Sequence, residues 1–247
     1  MHILRFLPAV MITLMFTLTS TAALAEEGHG DIELSTHDGH LHVDEPHAGE
    51  IWHSLSGQPS SSFQDIGFNE YQTTFPGFDG LLSPNATVKF ELLDRLYYYN
   101  PDTQPFFGDT PNGEIVEVTK GNEYFAWTDA GVSIFQDFND DSLVTVATLG
   151  SDGELHSHVN FTLIRDNANA VPADGAYLAS FRLHSDLDGH HDEPIWALWN
   201  KGLDATQFDQ AIAAAESYTV VPEPASALAM LALGGAAMLR RRRRVIA

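Results

Sequence analysis

Hydrophobic and polar residues alternate with a period of two along most of the chain between residues 26 and 203. The alternation is clearest over residues 155–164 and 177–184, and shorter runs occupy residues 87–92, 114–118 and 143–149. A period of two is typical of half-buried β-strands, whereas an amphipathic helix has a period of 3.6. The pattern therefore predicts a body built from several short strands.

Turn-forming dipeptides separate these runs, as expected of strands joined by hairpins. They are Asp38-Gly39, Asn112-Gly113, Asp152-Gly153 and Asp174-Gly175. Short strands with turn signals between them favour an all-β fold, here an antiparallel β-sandwich or jelly-roll-like body. An alanine-rich stretch predicts one short helix around residues 206–217. Residues 54–83 are rich in glycine, serine and proline, which predicts a long surface loop.

Composition and charge reduce the number of functions that the protein could have. The 247 residues include no cysteine, which excludes disulfide scaffolds, thiol catalysis and thiolate metal sites. The net charge is −22, and six Lys and Arg against 33 acidic residues between 26 and 221 leave that stretch at −27. Such a body repels nucleic acid and attracts cations, so we expect no nucleic acid partner.

Four segments follow from these patterns. Residues 1–25 have the pattern of a signal peptide, with Arg5, a short apolar run and the cleavage site Ala23-Leu24-Ala25. We therefore expect signal peptidase to remove them. Residues 26–203 form the acidic β-sandwich body, and residues 204–220 a short helix and stalk. Residues 221–247 form a tail with an apolar stretch at 225–239, which is short for a membrane-spanning helix.

The tail has three parts in a fixed order: a short motif, the apolar stretch and a basic end. The residues of the motif and the basic end are Pro222, Glu223, Pro224, Arg240, Arg241, Arg242, Arg243 and Arg244. This order resembles the PEP-CTERM sorting signal of exported bacterial proteins. The resemblance implies transient insertion in the inner membrane, cleavage by an exosortase-type enzyme, and delivery to the cell surface or extracellular matrix of a Gram-negative-type bacterium. The arginines would hold the tail end in the cytoplasm, with the body outside.

Histidines carry the candidate chemistry, and eleven of the twelve lie in two groups within the body. In the first group, Asp38-Gly39 predicts a two-residue hairpin turn that pairs His37 with His40 and Ser35 with His42. Directly opposed residues share a face of a sheet. His37, His40 and His42 would then lie within reach of one metal ion.

The second group places His156 and His158 on the polar face of one strand. If that strand pairs with the one ending at His184, the three imidazoles form a second ligand set. Weaker candidate ligands are His29, His47, His53, His190 and His191. Histidine and carboxylate ligands without cysteine favour Zn²⁺, with Cu²⁺ or Ni²⁺ as alternatives.

A second resemblance concerns the body. Residues 28–33, His156-Ser157-His158 and residues 177–183 are similar to a PEP-CTERM family described as repressed by the zinc uptake regulator. The resemblance implies a protein made when zinc is scarce, with a role in zinc handling.

Three functions remain open at this point. The first is a non-enzymatic surface protein that binds or scavenges zinc. The second is a structural or adhesive matrix protein that stacks polysaccharide on its aromatic residues, which are Trp52, Trp127, Trp196, Trp199 and Tyr97 to Tyr99. The third is a metal-dependent hydrolase or oxygenase. We expect no enzymatic activity, because no Gly-x-Ser-x-Gly, His-Glu-x-x-His or phosphate-loop motif occurs.

Overall fold

The computed structural model describes residues 30–46, 51–54, 62–136, 142–165 and 170–219. Within these ranges the protein is all-β apart from one helix, as the sequence predicts. The expected signal peptide at 1–25 and the tail at 221–247 lie outside the described residues. No helix in the described ranges has the length and apolar character needed to cross a membrane.

The strands form three sheets. Sheet I has the order β13-β6-β1-β2 and contains β1 (Asp31–His37), β2 (His40–Glu45), β6 (Gly77–Leu81) and β13 (Glu154–His158). Sheet II has the order β11-β10-β9-β14-β5-β4 and contains β4 (Gln64–Gly67), β5 (Glu70–Thr73), β9 (Glu114–Lys120), β10 (Glu123–Thr128), β11 (Gly131–Gln136) and β14 (Asn160–Arg165).

Sheet III has the order β12-β7-β15-β17-β3, with β8 added to β7 and β16 added to β15. Its strands are β3 (Ile51–His53), β7 (Thr87–Asn100), β8 (Gln104–Gly108), β12 (Val144–Thr148), β15 (Gly175–Ser185), β16 (Gly189–His190) and β17 (Ile195–Lys201). Most pairings are antiparallel, as predicted. Two are parallel instead, β1 with β6 and β17 with β3.

The main core lies between the sheets. Its largest members include Phe90, Trp127, Phe161 and Trp199, all fully buried. The Trp127 ring lies 6.4 Å from Phe161 and 6.0 Å from Trp199, measured between ring centroids. These aromatic contacts join sheet II to sheet III, since Phe161 is in β14 and Trp199 is in β17.

Helix α1 (Ala205–Thr219) covers the outer face of sheet III. Phe208, Ala211 and Ala215 are its buried residues. The helix starts with a reciprocal cap, in which the Gln207 amide donates to the Asp204 carboxylate and the Asp204 amide donates to the Gln207 side chain. Because of this cover, β15 is buried on both faces, although its sequence alternates.

Two expectations from the sequence are wrong. The stretch 54–83, predicted as a loop, contains β4, β5 and β6. Its glycines do not prevent strand formation, because β6 lies between β1 and β13 and makes hydrogen bonds to both. The run 155–164 is divided between β13 of sheet I and β14 of sheet II, so continuous alternation does not mean a single strand.

Candidate metal centre

The solvent-facing side of sheet I carries two adjacent rows of polar side chains. Across the strands, Asp31 in β1 is level with Gly77 in β6, and Gly77 is level with His158 in β13. The next row on the same face runs from Glu33 through Asp79 to His156. Residues two apart on one strand share a face, so β6 brings the acidic residues of β1 and the histidines of β13 together.

Asp31, His156 and His158 form the tightest group on this face. One ligand atom from each lies within 4.8 Å of the other two, and within the described ranges this is the one such group of three. His158 Nε2 is 4.0 Å from Asp31 Oδ2, and His156 Nδ1 is 3.9 Å from Asp79 Oδ2. Asp31 and Asp79 were not predicted as ligands.

The hydrogen bond of His158 decides which of its ring nitrogens is free. Nδ1 lies 3.1 Å from the carbonyl oxygen of Thr74. A carbonyl only accepts, so Nδ1 must carry the proton and donate it. In the neutral ring the lone pair is then on Nε2, which is the nitrogen that faces Asp31. Metal-bound histidines commonly have their other nitrogen held by such a partner.

The backbone orients the Asp31 carboxylate in a similar way. Its Oδ1 accepts a hydrogen bond of 3.1 Å from the amide of Gly77, which leaves Oδ2 directed to His158. The Asp31 side chain is only 19% exposed and that of His158 is 33% exposed, so both are partly shielded from water. A cation between them would meet less competition from solvent than at an open surface.

The separation of the ligand atoms of Asp31 and His158 is close to the separation of ligand atoms around a bound zinc ion. Bonds of about 2.0–2.1 Å at a tetrahedral zinc ion place neighbouring ligand atoms about 3.3 Å apart. The separation of 4.0 Å between His158 Nε2 and Asp31 Oδ2 therefore needs a movement of only some tenths of an ångström. Three protein ligands leave a fourth position for water or for Asp79.

Gly77 makes the approach of these two side chains possible. A Cβ atom at this position would lie 2.5 Å from Asp31 Oδ1 and 2.5 Å from Cε1 of His158. Any side chain here would occupy the space over which the two ligands meet. The glycine is therefore part of the candidate centre, although it offers no ligand atom.

Residues behind the sheet hold β13 in place. Ser157 points into the core, and its hydroxyl donates to the carbonyl of Val146 at 2.8 Å. Lys120 of β9 donates to the Ser157 hydroxyl and to the carbonyl of His158. Burial lowers the pKa of Lys120. The backbone between the two histidines is thus anchored to sheets II and III.

The first predicted ligand set lies on the same face of sheet I. The β1–β2 hairpin has the predicted register, with His37 opposite His40 and Ser35 opposite His42. Positive φ angles of 53° at Asp38 and 76° at Gly39 give the two-residue turn that the dipeptide predicts. The His37 and His42 ring centroids are 5.4 Å apart, but the nitrogens of the three imidazoles do not all lie within 4.8 Å of one another.

The second predicted set is not assembled, because the expected strand pairing does not form. In the described residues β13 pairs with β6, whereas β15 pairs with β7, β16 and β17. His184 therefore lies in sheet III, where its Nε2 is 3.2 Å from Glu91 Oε2 and its ring centroid is 6.0 Å from that of His190. His156 and His158 are together without it.

The remaining candidates have different positions. His53 ends β3 and contacts Phe208 of the helix, with 6.4 Å between ring centroids. His190 and His191 lie beside the β1–β2 hairpin. His29 and His47 lie outside the described residues.

The aromatic residues considered for sugar stacking mostly belong to the core. Trp52, Trp127 and Trp199 are fully buried, and Tyr97 to Tyr99 are 3–6% exposed. Trp196 is partly exposed, with Tyr97 and Tyr218 against its ring. This arrangement does not favour the stacking of polysaccharide on these residues.

Helix α1 ends at Thr219, and the next residue begins a recognisable segment. A family model described as the PEP-CTERM protein-sorting motif matches residues 220–244. The chain carries a PEP-CTERM sorting signal. This signal confirms the resemblance of the tail and implies an exported precursor that transits the membrane and is sorted to the cell surface by an exosortase-type system.

The PEP-CTERM signal covers the tail only. No curated protein matches the chain at a significant level. The resemblance of the body to the zinc-regulated family therefore finds no support, and the function of the body has to be inferred from its geometry.

Proposed function

We propose that this exported protein binds a divalent transition metal ion, Zn²⁺ first, through Asp31, His156 and His158. The observation that carries the proposal is the convergence of these three ligand atoms within 4.8 Å on one face of sheet I. The protein acts as a metal-binding or metal-scavenging protein of the cell surface, and we propose no catalytic role.

The ligand types support a borderline metal. Two imidazole nitrogens and one carboxylate oxygen suit Zn²⁺, Cu²⁺ or Ni²⁺, whereas Ca²⁺ and Mg²⁺ prefer oxygen ligands. A tetrahedral arrangement with three protein ligands and water is common for zinc. Asp79, 3.9 Å from His156, supplies either the fourth ligand or a hydrogen-bond partner for that ring.

The charge of the molecule supports the capture of cations. The net charge of −22 produces a negative potential that raises the local cation concentration and the association rate. Glu33 and Asp79 flank the candidate centre on the same face. A cation binding here also reduces the repulsion between neighbouring carboxylates.

The test is calorimetric titration of the full chain with Zn²⁺. We expect His156→Ala/His158→Ala to lower the number of bound zinc ions by one per chain. Asp31→Asn keeps the shape of the side chain but removes its charge, and it should weaken zinc binding at this centre by about tenfold or more. Ca²⁺ should not compete at equal concentration.

His53→Gln is the matched control, because it removes an imidazole that contacts Phe208 and lies outside the centre. It should bind zinc like the unaltered chain. If the double variant binds the same number of zinc ions with the same affinity, the proposal is wrong.

A further inference from the structure

A second group of histidines converges at another place, from distant parts of the sequence. The β1–β2 hairpin and residues 190–193, which begin at the end of β16, form the walls of an open groove of about 520 Å³. Five imidazoles line it, those of His37, His40, His42, His190 and His191. The two histidine groups of the sequence thus meet here, across some 150 residues of chain.

A backbone hydrogen bond joins the two walls. The amide of Leu41 in β2 donates to the carbonyl of Asp188 at 2.8 Å. The second wall is attached to β15, because the amide of His191 donates to the carbonyl of Leu183 at 3.0 Å. The base of the groove is therefore the place where the edge of sheet I meets the turn between β15 and β16.

A buried carboxylate makes this turn rigid. Asp188 is 1% exposed, and its carboxylate accepts hydrogen bonds from the amide and hydroxyl of Ser83 and from the hydroxyl of Ser185. The Ser185 hydroxyl in turn accepts from the amide of Asp188. With all these groups paired, the segment that follows leaves the turn in one defined direction.

The imidazoles lie on both walls of the groove, although no three of their nitrogens lie within 4.8 Å of one another. The His37 and His42 ring centroids are 5.4 Å apart, and His191 lines the opposite wall of the same groove. His40 lies by Gly189, since a Cβ there would be 3.9 Å from His40 Nδ1. His37, His40 and His42 are exposed, so their rings can turn towards a common point at little cost.

The carboxylates that line the groove favour the binding of a cation. Burial lowers the pKa of His191, and the neighbouring Glu193 carboxylate raises it to a smaller extent. Three carboxylates, those of Asp38, Asp192 and Glu193, line the same groove. Asp192 Oδ1 is 2.9 Å from His190 Nε2, the kind of contact that orients a histidine ligand.

We propose that this groove is a second binding site for a divalent transition metal ion, with His42 of the hairpin and His191 of the opposite wall among its ligands. The bound ion joins the β1–β2 hairpin of sheet I to residues 190–193, which lead from β16 towards β17 in sheet III. The inference extends the proposed metal binding to a second ion, and the two sites share no ligand.

The experiment compares zinc content per chain after equilibrium dialysis of the full chain, purified without an affinity tag. We expect two zinc ions for the unaltered chain and one for His42→Gln/His191→Gln. We expect one ion for His156→Ala/His158→Ala and none for the quadruple variant. His53→Gln is the control and should keep both ions.

The outcomes separate the two proposals. A groove variant that binds as much zinc as the unaltered chain overturns the second site, whatever happens at the first. If the unaltered chain binds one zinc ion and only His156→Ala/His158→Ala loses it, the second site is also overturned and the proposed function stands. If the unaltered chain binds one zinc ion and only the groove variant loses it, the proposed function is overturned and the groove site is supported.

A second measurement covers the case in which the double groove variant fails to fold. His42 is exposed, so His42→Gln alone leaves the core untouched and should weaken zinc binding at the groove at least tenfold. In the chain with His156→Ala/His158→Ala, Zn²⁺ should slow hydrogen exchange of the Leu41 amide, which bonds across the two walls. Unchanged exchange of that amide at saturating zinc contradicts the proposal.

Discussion

At the scale of single residues, the candidate centre depends as much on the absence of a side chain as on its ligands. Gly77 lies between Asp31 and His158 in the same row of sheet I. The close approach of the two ligands uses the space that a Cβ at this position would fill. A residue without ligand atoms therefore helps to define the site.

Gly77→Ala tests this role. The new methyl group would meet Asp31 Oδ1 and the His158 ring at 2.5 Å, so both side chains must move apart. We expect zinc binding at this centre to weaken about tenfold or more, with little loss of stability, because the atoms displaced are the ends of side chains. Calorimetric titration and thermal unfolding of the same samples measure both effects.

Gly30→Ala is the matched control for this change, because no atom lies within 4 Å of a Cβ at Gly30. It should leave zinc affinity unaltered. Normal zinc affinity in Gly77→Ala, with its fold intact, would show that Asp31 and His158 do not act on one ion.

At the scale of elements, α1 explains why sheet III has two apolar faces. Tyr97, Tyr99, Leu178 and Leu198 face the helix rather than the main core. Near the end of the helix, Tyr218 contacts Tyr97, Phe107 and Trp196. The helix is therefore an integral layer of the body.

Phe208→Ala should show how much this layer contributes. Phe208 is fully buried against sheet III, and truncation of a buried phenylalanine costs about 3–5 kcal/mol in the free energy of unfolding. Urea unfolding followed by circular dichroism measures the loss. Asp209→Ala, at an exposed position of the same helix, should change stability by about 0.5 kcal/mol or less. A Phe208→Ala loss equal to that of the control would contradict the docking of the helix.

At the scale of the whole molecule, the folded body is directly followed by its sorting signal. The last helical residue is Thr219, and the sorting match begins at residue 220. Little chain therefore separates the helix from the segment that the processing enzyme recognises. The body and the sorting signal are adjacent in sequence but have separate functions.

Replacing Pro222, Glu223 and Pro224 by alanine should block sorting without affecting the body. In the producing bacterium we expect the variant to stay in the membrane fraction at its unprocessed mass, whereas the unaltered chain is released as a shorter product. Mass spectrometry of both fractions measures this. Glu216→Ala, just before the signal, should be processed normally. Release of the triple variant at the processed mass would refute a role for the motif.

The success of sequence-based prediction differed between local and distant features. The hairpin register around Asp38-Gly39 was predictable, because a two-residue turn sets the pairing of the strands beside it. The sorting signal was also predictable, since its motif, apolar stretch and basic end follow one another in the chain. Partial success came with His156 and His158, whose spacing of two places both on one face of β13.

The sequence by itself determined the all-β character, the hairpin turn, the short helix and the PEP-CTERM signal, because each depends on residues close together in the chain. Only the tertiary structure decided that β6 lies between β1 and β13, which brings Asp31 to His156 and His158 and leaves His184 in another sheet. Strand pairing between distant segments depends on the packing of whole sheets, and neither the glycine-rich sequence of β6 nor any local spacing specifies it.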